Sequence, residues 1–153
     1  MKILVDTNIV ARYAQPSHIQ HEIAVRSVAA LRSQRHHLHI VPQVLYEYWV
    51  VATRPESENG LGMSIAEADA DLQRFKTLFT LVPESPSVFP MWERLVVANS
   101  VHGKLGHDAR LVASMMTNGI DQILTFNERD FRRFKEITVL TPNEVVAAST
   151  PNT

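Results

Sequence analysis

Short apolar runs alternate along the chain with longer segments whose apolar residues recur every three or four positions. The runs predict strands buried on both faces, and the longer segments predict amphipathic helices. The predicted strands are 3–5, 38–41, 81–82, 122–125 and 138–140. A short first helix is predicted after Asp6, ending near residue 15. The further predicted helices cover about 19–35, 42–54, 64–79, 88–102, 106–118, 127–134 and 142–148. Strands that alternate with helices in this way predict an α/β protein with a doubly wound, mostly parallel sheet.

Two of the predicted helices have an apolar stripe that should face the core. In the helix 19–35 we expect this stripe to contain Ile23, Ser27, Ala30 and Leu31. In the helix 64–79 we expect it to contain Ile65, Ala68, Leu72, Phe75 and Phe79. Ser64 and Glu67 match a capping box at the start of that helix. The polar segment 56–62 before it, with Asn59-Gly60, predicts an exposed loop.

Composition and charge are those of an ordinary globular domain. The 153 residues suit one domain, for which we expect the bounds 1–146 and a flexible tail 147–153. The absence of cysteine excludes disulfides and thiolate metal sites. No segment is typical of a signal peptide or a membrane span, so we expect a cytoplasmic protein. A net charge of −1 means that nucleic-acid binding would need a local basic surface.

Three acidic residues occupy positions where apolar residues are expected. Asp6 ends a buried strand, Glu47 lies on the helical stripe between Val44 and Val51, and Asp108 opens an amphipathic helix. Each also has a structural explanation, since Asp6 could cap a helix, Asp108 could complement its dipole and Glu47 could point outward. Isolated buried carboxylates are costly, so convergence of all three would need a divalent cation. Oxygen ligands favour Mg²⁺ or Mn²⁺.

Four short blocks containing these acids resemble, in order, the signature blocks of PIN-domain nucleases, and most of all the VapC-type ribonuclease toxins of toxin–antitoxin pairs. The blocks are Val5-Asp6-Thr7-Asn8, 42–47 running on to 53–55, His107-Asp108-Ala109-Arg110, and 124–131. The resemblance implies a three-layer PIN-like fold with a central sheet of about five strands. It also implies Mg²⁺- or Mn²⁺-dependent cleavage of RNA, a cognate antitoxin partner and a homodimer.

The resemblance also assigns roles to individual residues. Asp6, Glu47 and Asp108 match the three acidic metal-site positions of the family, and Asp130 matches one of two alternative positions for a fourth catalytic acid. The other alternative position is Asn127 in this chain, which departs from the family pattern. That departure leaves open whether one metal ion or two are bound.

Other polar and basic side chains are candidates for contacts with water and RNA. The residues expected to position water or substrate at the strand ends are Thr7, Asn8, Thr125 and Asn127. The residues expected to form a basic rim for RNA are Arg129, Arg132, Arg133 and Lys135. A cluster of this kind is also typical of an ordinary solvated face.

Histidines and aromatic residues add little to this picture. His36, His37 and His39 lack the spaced partner pair of a zinc site, and alternation along a strand would point them to different faces. Four aromatic residues fall on helical stripes and are expected in the core or at a dimer surface rather than as base-stacking platforms. They are Tyr48, Trp49, Phe89 and Trp92.

Three other functions compete with a toxin nuclease. An aspartyl-phosphate phosphohydrolase also has an aspartate after its first strand, but it needs a second one two residues later, where this chain has Asn8. A PIN nuclease of housekeeping RNA processing and a catalytically silent PIN domain that binds RNA or protein both remain compatible with the sequence.

Overall fold

Five parallel strands form the centre of the protein in the computed structural model, which describes residues 1–149. The strands are β1 (Lys2–Val5), β2 (His37–Ile40), β3 (Thr80–Leu81), β4 (Gln122–Leu124) and β5 (Thr138–Leu140). Their order in the sheet is β3-β2-β1-β4-β5, and all four pairings are parallel. The predicted α/β fold with about five mostly parallel strands is therefore confirmed.

Helices connect the strands and cover the sheet. They are α1 (Thr7–Tyr13), α2 (His21–Ser33), α3 (Pro42–Thr53), α4 (Ile65–Leu78), α5 (Val88–Ala98), α6 (Leu105–Thr117), α7 (Glu128–Phe131) and α8 (Pro142–Ser149). Within residues 1–149, none of them combines the length and the apolar character that crossing a lipid bilayer requires.

The central strand β1 decides where a site can form. Ile3, Leu4 and Val5 are completely buried because helices cover both faces of the sheet. The chain continues from β1 towards β2 on one side, whereas β4 joins β1 from the other side. This reversal of strand order opens a crevice at the carboxyl ends of β1 and β4, where ligands of open α/β sheets bind.

The predicted apolar stripes were partly wrong. In α2 the buried residues are Ala24, Ser27, Val28 and Leu31, whereas Ile23 and Ala30 are only partly buried. The face of α2 that packs against α1 and α8 is thus rotated by about one residue from the predicted one. Ile65 is 64% exposed because it is the first residue of α4, ahead of the turn that reaches the core. The capping box of Ser64 and Glu67 is formed as expected.

Several segment ends also differ from the expectation. The predicted loop 56–62 contains a 3-10 turn, Glu56–Glu58. Helix α5 ends at Ala98 rather than near residue 102, because the chain turns through a left-handed Ser100 with φ of 49°. Helix α8 extends to Ser149, past the predicted domain end at 146. The rest of the expected tail, 150–153, lies outside the described residues.

The four aromatic residues differ in environment. Tyr48 is fully buried, Trp49 and Trp92 are partly buried, and Phe89 is 63% exposed. Phe89 stacks on Trp92 with ring centroids 5.9 Å apart. Tyr48 is therefore part of the core, whereas Phe89 contributes apolar surface.

Candidate active site

Asp6 lies where β1 passes into α1. Its backbone N–H continues the sheet by donating to the Leu124 carbonyl at 3.1 Å. Its Oδ1 caps α1 by accepting the Thr7 backbone N–H at 2.7 Å, and its Oδ2 accepts the Thr125 hydroxyl at 2.7 Å. The side chain is only 6% exposed. Asp6 is thus a helix cap whose carboxylate also lies in the crevice, so the two explanations of this residue are compatible.

Thr125 connects the ends of the two central strands. Its Oγ1 accepts the Asn8 side-chain amide at 3.1 Å and the Asn127 backbone N–H at 2.9 Å, while it donates to Asp6. Asn8 in turn accepts the Phe126 backbone N–H through Oδ1 at 3.2 Å. This network fixes the loop after β4 against the start of α1.

Glu47 reaches the same crevice from α3. Its Oε2 accepts the Thr7 hydroxyl at 2.7 Å, and its Oε1 accepts the Gln43 side-chain amide at 2.8 Å. The buried Gln43 amide also donates to the His107 carbonyl at 2.8 Å, and Gln43 Oε1 accepts from Arg110 at 3.0 Å. Gln43 therefore ties the turn that carries Glu47 to the start of α6, where Asp108 lies.

The three acids line one cleft of about 270 Å³. Its other lining residues are Thr7, Asn8, Ala11, Arg12, Val51 and Asn127. Cavities of about 420 and 450 Å³ lie elsewhere on the surface, and each is lined by a single carboxylate from the described part of the chain. The smaller cleft is therefore the place where acidic side chains gather.

Two predicted site residues lie at its edge. Thr125 is completely buried beneath the cleft and reaches it through Asp6. Asp130 does not line the cleft, but its Oδ2 accepts the Asn127 side-chain amide at 2.7 Å. Asn127 therefore connects Asp130 to the cleft.

The cleft carboxyls are electrostatically uncompensated. Burial is the largest cause that raises the pKa of Asp6 to about 7, against the hydrogen bonds from Thr125 and Thr7 that lower it. Burial also raises the pKa of Asp108 to about 6, and the charges of Asp130 and Glu47 add to the effect. The neighbouring acids thus disfavour the ionised forms of Asp6 and Asp108, and a cation in the cleft would relieve this repulsion.

The donor set fits a hard divalent cation. Every carboxylate in the cleft offers oxygen ligands, which suit Mg²⁺ or Mn²⁺. Across residues 1–149, no three His, Asp or Glu side chains form a ready-made metal cluster. Mg²⁺ typically uses one or two carboxylates and keeps several waters, so two carboxylates of this cleft, with water in the other positions, would be a sufficient ligand set.

The predicted basic rim lies outside the cleft. Arg129, Arg132, Arg133 and Lys135 are exposed. Arg132 pairs with Glu128 at 2.8 Å and with Glu144 at 4.0 Å, so these two carboxylates offset much of its charge. Arg133 contributes through its charge, which lowers the pKa of Asp108.

Sequence reasoning missed two residues of this region. Arg12 lines the cleft, and Gln43 holds Glu47. Both could have been found from spacing, because Arg12 follows Asn8 by four residues and Gln43 precedes Glu47 by four, which places each pair on one face of a helix.

Solved structures with this fold include several VapC proteins. VapBC2 from Rickettsia felis, bound to a promoter DNA fragment, matches with a TM-score of 0.69 and 13% identity over 92% of this chain and 98% of that chain. VapBC-1 from nontypeable Haemophilus influenzae matches with a TM-score of 0.70 and 12% identity, over 94% and 99%. VapC20 from Mycobacterium tuberculosis, a sarcin–ricin loop cleaving toxin, matches with a TM-score of 0.63 and 22% identity, over 88% and 98%.

Sequence comparisons agree with the fold. A search of curated proteins gave no significant match. The family model of the PIN domain matches residues 3–137, which is most of the chain and includes all four blocks identified in the sequence. The chain therefore belongs to the PIN domain family.

Proposed function

We propose that this protein is a metal-dependent endoribonuclease and the toxin of a VapBC-type toxin–antitoxin pair. The observation that carries the proposal is that Asp6, Glu47 and Asp108, from three separate elements, line one cleft at the carboxyl end of the sheet of a PIN domain. Support for an RNA substrate comes from VapC20, which cleaves the sarcin–ricin loop. Support for an antitoxin comes from the neighbours solved as VapBC complexes.

In this proposal Asp6 and Asp108 hold a Mg²⁺ or Mn²⁺ ion, directly or through water. When bound, such an ion supplies a nucleophile at neutral pH by acidifying water and offsets the negative charge that develops on the phosphate. Asp130 adds negative charge at the edge of the cleft through Asn127. A second ion would need Glu47 as a ligand.

Glu47 is the group best placed to orient the attacking water. The Thr7 and Gln43 donors fix both of its oxygens, and each oxygen retains a lone pair that can accept a proton from water. The water oxygen bonds to phosphorus while the bond to the 3′ oxygen breaks. The leaving oxygen takes up a proton from solvent water, and Glu47 releases to solvent the proton that it accepted, so the products carry a 5′-phosphate and a 3′-hydroxyl.

The proposal includes further partners. The toxin would act in the cytoplasm as a homodimer, and its antitoxin would cover the acidic cleft. The exposed apolar surface around Phe89 is compatible with a dimer interface.

The decisive experiment measures cleavage of a labelled RNA pool by the purified protein with Mg²⁺, with Mn²⁺ and with EDTA. Asp6→Asn, Glu47→Gln and Asp108→Asn should each lower the rate on the order of 100-fold or more, because metal and general-base contributions are of this size. Asp69→Asn, an exposed acid on α4, is the matched control and should cleave like the unmodified protein. Undiminished cleavage in any of the three cleft variants would reject the assignment.

A catalytically silent PIN domain is the second candidate, favoured by Asn127 at a position where some family members have a carboxylate. Calorimetry with Mg²⁺ and Mn²⁺, followed by the cleavage assay on the RNA pool, separates the two, since a silent domain would bind RNA without metal-dependent cleavage. Toxin and housekeeping roles separate in cells. Induced expression of a toxin should arrest growth, Asp6→Asn should abolish the arrest, and a housekeeping nuclease should leave growth unaffected.

A further inference from the structure

Arg12 is a cation at the edge of an acidic cleft. It lies in α1, one turn after Asn8, and lines the cleft together with Asp6, Glu47 and Asp108. Among the residues that the structure describes, it is the basic side chain that does so. A guanidinium this close to three carboxylates would be expected to form an ion pair with one of them.

Arg12 forms no such pair within residues 1–149. Its guanidinium is instead held by two neutral side-chain oxygens. Nε donates to Gln20 Oε1 at 3.2 Å, and Nη1 donates to Gln15 Oε1 at 2.9 Å. These bonds direct the side chain without neutralising it, so its full charge remains available.

The segment between α1 and α2 is organised around this side chain. Gln20 occupies the cap position of α2 but makes no capping bond there with its side chain, which leaves its amide oxygen for Arg12. The Gln20 backbone N–H donates to the His18 ring at 3.0 Å, and the His21 ring lies 3.0 Å from the Arg12 carbonyl oxygen. The position of Arg12 is therefore fixed from both its side chain and its backbone.

The N–H groups of Arg12 that form no hydrogen bond in the described part of the chain indicate which kind of ligand it can bind. A guanidinium has five N–H groups, and the two glutamines use two of them. The other three form no hydrogen bond in the described part of the chain and suit the two non-bridging oxygens of a phosphodiester. Arg132, the centre of the basic cluster 129–135, is by contrast paired with Glu128 and Glu144.

We propose that Arg12 forms a phosphate subsite, in which its free N–H groups bind a backbone phosphate of the RNA strand beside the phosphate that is cleaved. The subsite rests on the proposed function for its place in catalysis, although RNA binding can be measured without cleavage. Gln15 and Gln20 are positioning residues, because they keep Arg12 from turning onto the cleft carboxylates.

Binding tests the subsite directly. A fluorescein-labelled single-stranded RNA is titrated with the full chain in an Asp108→Asn background, at several potassium chloride concentrations. Arg12→Ala should weaken binding about tenfold and reduce the slope of log affinity against log salt by about 0.7, the value for one lost phosphate contact on a single strand. Arg12→Lys should keep the slope and lose part of the affinity, because lysine keeps the charge without the planar geometry.

Arg26→Ala is the matched control, since Arg26 lies on the neighbouring α2 and pairs with Glu22 on an exposed surface. It should change neither affinity nor slope. Should Arg12→Ala fold poorly by circular dichroism, the double variant Gln15→Ala/Gln20→Ala serves instead. Arg12 would then pair part of the time with a cleft carboxylate, so the affinity should fall about threefold and the salt slope should fall by less than in Arg12→Ala. An unchanged affinity in either variant overturns the subsite.

Kinetics in the otherwise unmodified protein separates this proposal from the nuclease proposal. Arg12→Ala should raise KM with little change in kcat, because the contact is to a phosphate that does not react and is the same in the ground state and the transition state. If the unmodified protein cleaves no RNA but Arg12→Ala still weakens RNA binding, the nuclease proposal fails and the subsite stands. If cleavage is metal-dependent but Arg12→Ala changes neither KM nor RNA affinity, the subsite fails alone.

Discussion

Glu47 and Tyr48 are neighbours on α3, yet their side chains belong to polar clusters with opposite properties. Glu47 lies in the cleft with Asp6 and Asp108. Tyr48 is fully buried on the side that faces α4, where its hydroxyl donates to Asp71. The first cluster gathers carboxylates, and the second pairs a carboxylate with donors.

In the second cluster, the charge of the carboxylate is balanced by a cation. Asp71 accepts from Tyr48 and pairs with Arg74 at 3.3 Å. Burial, followed by the hydrogen bond with Asp71, raises the pKa of the Tyr48 hydroxyl, which therefore stays protonated and keeps donating. Hydrogen bonds hold the carboxylates of Asp6 and Glu47, but within residues 1–149 no ion pair neutralises Asp6, Glu47 or Asp108. A compensated carboxylate contributes to stability, whereas uncompensated ones that converge indicate a binding site.

Tyr48→Phe should disrupt the cluster of Tyr48, Asp71 and Arg74 and give the largest change in stability. It removes a hydrogen bond to a charged group, so we expect a loss of about 2 kcal/mol in the free energy of unfolding. Urea denaturation measures this loss. Nuclease activity per folded molecule should stay the same, because Tyr48 points away from the cleft.

Tyr46→Phe is the control for this change, since Tyr46 is 60% exposed on the same helix. It should alter the free energy of unfolding by less than about 0.5 kcal/mol. Equal effects of the two substitutions would mean that the bond between Tyr48 and Asp71 contributes nothing, and the contrast between the clusters would be lost.

Asp108→Asn should act in the opposite direction and stabilise the metal-free protein. Burial and neighbouring acids raise the pKa of Asp108 from 3.8 to about 6, so in this interval the folded state holds a proton that the unfolded state releases. Stability is therefore lost as the pH rises through this window, and the full penalty is present above pH 6. Asparagine removes that penalty, which we expect to be about 1 kcal/mol after solvent screening of a half-buried group.

Thermal unfolding in EDTA at pH 4 and pH 8 measures this effect. The variant should exceed the unmodified protein in stability at pH 8 and match it at pH 4. Asp121→Asn, at an exposed position before β4, should show no such pH dependence. Adding Mg²⁺ should stabilise the unmodified protein more than Asp108→Asn, because the proposed ion would bind the folded state. A less stable Asp108→Asn at pH 8 would contradict the idea of uncompensated charge.

The convergence of the acids could be predicted because it follows from the path of the chain. Asp6 ends a strand, and α3 begins where β2 ends, so Glu47 starts from the same edge of the sheet. Helix α6 leads into β4 and runs back along the sheet, which places Asp108 near its start at that edge too. Periodicity and strand ends singled out these three residues, and the resemblance to PIN domains assigned them to one site.

Side-chain pairings between distant segments could not be predicted. The partner of Tyr48 depends on how α3 crosses α4, and no local pattern gives that angle. The direction of Arg12 depends on Gln15 and Gln20 in the following loop, whose conformation is set by the packing of α2. The rotation of the buried face of α2 has the same origin, because its contacts with α1 and α8 select among nearly equivalent stripes.

His39 is a buried polar side chain without hydrogen-bond partners in the described part of the chain, and it lies away from the cleft. It lies in β2, is 9% exposed, and neither ring nitrogen forms a hydrogen bond within residues 1–149. Burial first, and then the charges of Lys2 and His37, lower its pKa below 6.5 in the folded state. The unfolded state therefore takes up the proton more readily, and stability is lost as the pH falls through 6.5.

His39→Leu should remove this loss, and we expect the smallest effect, about 0.5 kcal/mol at pH 5 relative to pH 8, since solvent screens part of the charge. His102→Gln, at an exposed position between α5 and α6, does not act on His39 and should leave the pH dependence unchanged. Urea denaturation at the two pH values gives both numbers. Cleavage should be unaffected by His39→Leu, because a single uncompensated group costs stability without forming a site. A large loss of activity would instead show that His39 takes part in the function, and convergence of several groups would no longer be the distinguishing feature.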